Sequence, residues 1–352
     1  MASTGMERAS GADADRTGRN VSDGAGMILL GLCAAWALIS AAAHDGRPEG
    51  MLLAVLATAA GCAAGRMSGA LLPVAAPCAG AAAALVLAVT MPGPLPGPAY
   101  AAPLGQAGAV AALLALATGA LCCAAWATPV PGMRPLLWLM AGAVVPAGAL
   151  LGSPGGCAAG GAVLLCSVAA GSMPYRGAGL AGLAAVAGVA VGAVWGLASG
   201  VLPGGCAAEF TERIGPYRVG LWGRAVRLAR EAPVWGVGPG RFGTPGDPAG
   251  RPHSAPLQLL AEQGVVGALL LAAVFGWVLH ALWRAARPTP VVLTAGAALT
   301  ALAVIASVGD ALSFTTVTAG AGLLAGWATA RPWDEEERVP RTEPLPRQEP
   351  VG

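Results

Sequence analysis

Apolar positions along this chain fall in long unbroken runs, not in the alternation of a half-buried strand or the one-sided stripe of a soluble helix. Ten runs stand out, at residues 27–43, 50–65, 69–91, 105–127, 134–152, 155–172, 177–201, 257–283, 291–308 and 313–330. A helix crossing the hydrocarbon core needs about 20 residues. The runs fit that length, with 50–65 and 155–172 the short ones. Residues 1–25 and 331–352 are polar or rich in charge and proline, and read as disordered cytoplasmic tails. The pattern predicts an all-α, polytopic membrane helix bundle of about ten transmembrane helices. Its helices occupy 26–202 and 257–330, and one large extracytoplasmic loop containing a short helix, 203–256, separates the two sets. Pro73 and Pro77 are expected to kink the third span. The first run ends in Ala41-Ala42-Ala43, which looks like a cleavage site, yet it is long for a signal peptide and reads as an uncleaved helix.

Composition sharpens this picture. Of 352 residues, 56% are hydrophobic and 11% charged, with mean hydropathy +0.66. A soluble domain carries roughly 25% charged residues. Alanine and glycine dominate the runs, and small residues let helix backbones approach closely, which favours a packed bundle over isolated spans. The eight cysteines show no ligand spacing and read as small core residues, with Cys206 alone expected outside the bilayer. No carboxylate cluster of the kind that holds magnesium is visible, so no metal or other cofactor is expected. Nucleic acid is excluded as a partner, since the chain lacks a basic soluble domain.

All 20 basic residues are arginine, and their positions orient the bundle. With the N-terminus in the cytoplasm, the inner side holds twelve arginines and the outer side eight, seven of them within 203–256. Every other loop obeys the positive-inside rule. Inverting the topology would misplace twelve residues to correct seven, so the arginines of that loop serve something other than orientation.

The loop is expected to form a helix over 216–231, starting at Pro216. At 100° per residue, Leu221, Trp222, Ala225, Val226, Leu228 and Ala229 share one broad face, and Arg224, Arg227 and Glu231 the opposite one. Arg218 falls in the centre of the apolar face, where a guanidinium is costly unless paired. Its planar fork of donors suits phosphate oxygens. The remaining loop arginines read as a solvated or headgroup-facing surface. Gly236-Val237-Gly238-Pro239-Gly240 permits a tight turn and close approach of a ligand to the backbone, although in so glycine-rich a chain the run taken by itself reads first as a plain turn. His253 precedes Ser254-Ala255-Pro256, an N-cap and helix start. The positive end of that helix favours neutral imidazole, which can serve as a general base; an ordinary interfacial histidine is the other reading. Glu262, deeper in the same helix, must be paired or line a polar cavity, with Arg218 or Arg251 as partners. His44 and His280 read as interface residues, and Asp310 is open in the same way as Glu262.

The ordered string Arg218-x3-Trp222, Glu231-x-Pro233-x2-Gly236-Val237-Gly238-Pro239-Gly240-x-Phe242, His253-x4-Gln258-x3-Glu262-x-Gly264-x2-Gly267 resembles the signature of the O-antigen ligase and O-antigen polymerase family. The resemblance implies a glycosyltransferase of cell-surface polysaccharide biosynthesis on the outer face of the cell membrane. Its donor would be a glycan on a polyprenyl (undecaprenyl) diphosphate, and its acceptor a hydroxyl of a glycan or lipid. It further implies His253 as the catalytic histidine and Arg218 as the ligand of the diphosphate. Trp222, Gly238, Gly240, Arg241 and Arg251 would line the substrate site, with Gln258 and Glu262 in support. A second family arginine finds its nearest match in Arg176-Gly177-Ala178, which the expected topology puts on the inner side; Ser254 stands where the family often has asparagine. The competing reading from another class is a multispan transporter of a small or lipid-linked solute, which predicts broken helices in repeated halves. A non-catalytic membrane scaffold is the third.

Overall fold

A computed structural model describes residues 3–90, 104–242 and 252–331. Among these there are twelve α-helices and no strand. They are α1 (Ser3–His44), α2 (Glu49–Leu71), α3 (Ala75–Thr90), α4 (Leu104–Ala127), α5 (Met133–Leu150), α6 (Pro154–Ala170), α7 (Arg176–Ser199), α8 (Gly204–Ile214), α9 (Pro216–Glu231), α10 (Ala255–Trp283), α11 (Thr289–Val308) and α12 (Thr315–Thr329). Each of the ten apolar runs appears as a helix. Seven are long and apolar enough to cross a membrane, while α3, α6 and α12 have 16, 17 and 15 residues. The third run, 69–91, is not one kinked helix; it is interrupted at residues 72–74, between α2 and α3. Pro73 falls in the turn before α3 and Pro77 in its first turn, where a missing N–H costs nothing.

Two helices hold the centre. α4 and α11 are largely enclosed by the others, and their alanines, leucines and valines form the main core with parts of α3, α5, α10 and α12. α2 and α12 pack backbone to backbone. Gly61 and Gly65 face the carbonyls of Ala319 and Leu323, and Gly322 and Gly326 face those of Thr58 and Cys62. A Cβ at any of the four would strike backbone, so only glycine permits this approach.

The loop 203–256 holds two helices where one was expected. α9 has the predicted bounds; α8 precedes it behind Gly204-Gly205, a pair that reads as a breaker. Arg251 lies outside the described residues, as does the tail 332–352.

Candidate active site

α9 sits on the bundle as its periodicity dictates. Leu221, Trp222, Ala225, Val226 and Ala229 are buried, and Arg224, Arg227 and Glu231 are exposed. The buried face joins the ends of α7 and α10 in a small core with Val194, Leu197, Phe242, Leu257 and Ala261, against which Val308 also packs. Arg218 lies one turn before Trp222 on this face. Its Nη1 donates to the Val308 carbonyl at 3.0 Å, and its Nε is buried with no hydrogen-bond partner among the described residues. Burial pushes the Arg218 guanidinium down from its ordinary range, although an arginine remains charged at any physiological pH.

Trp222 ties α9 to His253. The indole is fully buried and its Nε1–H donates to the Pro252 carbonyl at 2.7 Å. His253 follows in left-handed backbone, φ 46°, which few non-glycine residues adopt. Arg218 thus lies one helix turn before an indole that bonds the residue preceding His253. Ser254 is the N-cap of α10, as expected, but its hydroxyl caps nothing.

The glycine run does more than turn. α10 breaks at Gly264, φ 68° and ψ −166°. A break frees backbone groups that must find partners in an apolar setting. Here four of them have partners from outside the helix. The Ala261 carbonyl accepts from Val237 N–H at 2.9 Å, that of Glu262 from Gly238 N–H at 2.9 Å, and that of Gln263 from the Trp36 indole at 3.1 Å. The Val265 amide, past the break, donates to the Pro233 carbonyl at 2.8 Å. Residues 233–238 thus replace the missing helical bonds of α10. Contact is so close that a Cβ at Gly236 would strike the Glu262 backbone, and one at Gly264 the Val234 carbonyl. Gly236, Gly238 and Gly240 all have positive φ.

The same turn meets α1. Trp235 stacks on Trp36 with ring centroids 5.1 Å apart, the Ser40 hydroxyl donates to the Trp235 carbonyl, and Arg47 N–H to that of Pro239. Arg241 is exposed and donates to the His44 carbonyl. A cleft of about 490 Å³ opens here between Ala43, His44 and residues 232–236. It adjoins Gly238 and Arg241, not the Arg218–His253 pair, so the structure divides the sequence-predicted residues between two neighbouring places.

Glu262 is buried at 7% exposure and accepts from Gln258 Nε2 at 3.3 Å. Ser254, Gln258 and Glu262, four residues apart, form a polar row on the first part of α10. Asp310, also buried, lies two residues past Val308 and accepts from the Ser313 hydroxyl.

Arg176 is not brought to this end. Its guanidinium donates to the carbonyls of Trp283, Ala285 and Arg287, where α10 finishes. α10 spans 29 residues from the His253 end to that one, about 40 Å at 1.5 Å per residue.

Comparison with known proteins bears on this arrangement. The model of the family described as O-antigen ligase matches residues 135–272. That match supports assignment to the O-antigen ligase family. No curated protein and no solved structure matches the chain. The matched segment runs from α5 into α10 and contains the whole loop, both sides of the glycine clamp, Arg218 and His253. The match points to glycosyl transfer at a membrane, in agreement with the many apolar helices. Arg176 also falls within the matched segment, but at its opposite end in space. Arg176→Ala is expected to lower the melting temperature by several degrees, through the carbonyls it leaves unbonded, while changing the KM for a lipid-linked donor less than about threefold. Thermal unfolding and steady-state transfer on one preparation check both halves.

Proposed function

We propose that the chain transfers a glycan from a polyprenyl-diphosphate carrier to an acceptor hydroxyl, with the loop 203–256 and the start of α10 as its active site on the extracytoplasmic face. The observation that carries this reading is Arg218, a guanidinium on the packed face of α9 with one carbonyl for a partner and a buried Nε–H left over. A charge so placed needs an anion to offset its desolvation, and a diphosphate held beside the membrane supplies one. Trp235 and His44 line an apolar cleft at the end of α1, at the level where a lipid-borne substrate would approach.

In this scheme Arg218 holds the donor's diphosphate. His253 takes the proton of the acceptor hydroxyl as its oxygen attacks the anomeric carbon. The bond from that carbon to the diphosphate oxygen breaks, and the electron pair leaves with the diphosphate. Arg218 stabilises the growing charge, the kind of electrostatic assistance that often provides the largest catalytic contribution. A single displacement inverts the anomeric centre. Arginine supplies the positive charge, so the scheme calls on no metal.

A transporter shares one feature with this fold, the broken helix α10. Its freed carbonyls already accept from Val237, Gly238 and Trp36, so protein donors close the break, which favours the enzyme reading. The test is transfer from a polyprenyl-diphosphate glycan by purified protein in nanodiscs. Arg218→Ala is expected to reduce turnover by about 10²–10³-fold, as loss of one oxyanion donor does elsewhere. Arg224→Ala, on the exposed face of the same helix, stays within about threefold. Equal rates for wild type and Arg218→Ala would end the assignment.

A further inference from the structure

The break at Gly264 turns the first part of α10 into a separate helix of nine residues, 255–263. Its two ends are treated differently. At the C-terminal end the carbonyls of Ala261, Glu262 and Gln263 are all bonded by groups from outside the helix. The N-terminal end is left open. Ser254, the N-cap, is fully buried, has the extended backbone of a capping residue (φ −145°, ψ 111°), and yet its hydroxyl bonds neither the first-turn amides nor any other group among the described residues. The first i to i−4 bond runs from Gln258 N–H to the Ser254 carbonyl at 2.8 Å, so the amides of Ala255 and Leu257 lie ahead of it, and Pro256 between them has no N–H.

A buried hydroxyl with no partner costs stability unless something is meant to meet it. Ser254 is two residues past Pro252, whose carbonyl holds the Trp222 indole, and Arg218 is one turn before Trp222. The unpartnered Oγ–H of Ser254 and Nε–H of Arg218 are both donors, and they border one small core at the positive end of a short helix whose negative end is already neutralised. Two spare donors and an open helix N-terminus match an anion with several acceptor oxygens.

We infer that Ser254 and the N-terminus of helix 255–263 form, with Arg218, a phosphate-binding pocket in which the Ser254 hydroxyl donates to an oxygen of the donor's diphosphate. This rests on the glycosyl-transfer reading above and adds a residue to it. The glycine clamp acquires a purpose: by cutting α10 at Gly264 and bonding the cut end, it gives the pocket a helix of its own with its dipole unopposed at the substrate end.

Ser254→Ala is the test, because it removes only the hydroxyl. Wild type, Ser254→Ala, Arg218→Ala and His253→Ala are compared in nanodiscs for donor kinetics, for inhibition by inorganic pyrophosphate, and for melting temperature. The expected result is a 10- to 100-fold lower kcat/KM for donor in Ser254→Ala, a matching rise in the pyrophosphate inhibition constant, and a melting temperature equal to wild type or higher, since an unsatisfied buried group has gone. A merely structural hydroxyl would give the reverse, a lower melting temperature with donor kinetics intact. Unchanged donor kinetics and pyrophosphate inhibition in Ser254→Ala, alongside inactive Arg218→Ala and His253→Ala, overturn the pocket and leave the site standing. Wild-type rates in all three variants remove the site and the pocket together.

Discussion

His253→Ala is expected to lower glycosyl transfer by about 10²–10⁴-fold, the range of a positioned general base. The protein puts effort into this position. The backbone of His253 is left-handed at φ 46°, and Trp222, fully buried, bonds the carbonyl just before it. The next residue opens helix 255–263. Backbone held from both sides in a sparsely populated conformation fits a position kept for function. The variant keeps the Trp222–Pro252 bond, so its melting temperature is expected to stay within a few degrees of wild type. His280→Ala serves as comparison. His280 lies at the far end of α10 beside Trp283, and its removal is expected to leave transfer within about threefold. Single-turnover transfer from a radiolabelled lipid-linked donor separates the two variants.

Gly264→Ala is the second large effect, and it acts through the backbone. At φ 68° and ψ −166° the residue occupies a region that is essentially glycine-only, costing about 1–3 kcal/mol for any side chain. A Cβ there would also strike the Val234 carbonyl, which is backbone and cannot swing aside. Relief of the clash pushes residues 233–238 off α10, and the bonds from Val237, Gly238 and Val265 go together. The expected outcome is a melting temperature lower by ten degrees or more and transfer below a hundredth of wild type. Gly276→Ala, in the same helix with open space around its would-be Cβ, is expected to be neutral or to stabilise by up to about 1 kcal/mol through helix propensity. Size-exclusion thermostability assays in detergent distinguish the two substitutions.

The contrast between these glycines shows what the sequence discloses. Both sit in one apolar run, and nothing local marks Gly264 as a break; the reason lies at residues 233–238, which only folding brings there. The same holds for Trp36 and Trp235, joined across the chain by stacking, and for the Gly236–Gly240 run, whose partner is helix 255–263. Features set by periodicity were readable. The ten apolar runs all became helices, and α9 appeared with its predicted bounds and its predicted buried face. Arg218 was legible for the same reason, as a charge on the wrong side of an otherwise regular stripe. α8 was hidden by the two glycines at its start, and the proline kink was misplaced because the third span begins later, at Ala75. Ser254 was recognised as a cap from its place before Pro256. That its hydroxyl would cap nothing follows from burial and neighbours, which no residue pattern records.

The Arg218 guanidinium is expected to grip a diphosphate carried by a lipid. Equilibrium binding of a short-chain polyprenyl diphosphate to nanodisc-embedded protein tests it without turnover. His253→Ala is expected to bind within about threefold of wild type and Arg218→Ala at least about tenfold more weakly, as when a charged hydrogen-bond donor is lost. Binding to Arg218→Ala as tight as to wild type would contradict it.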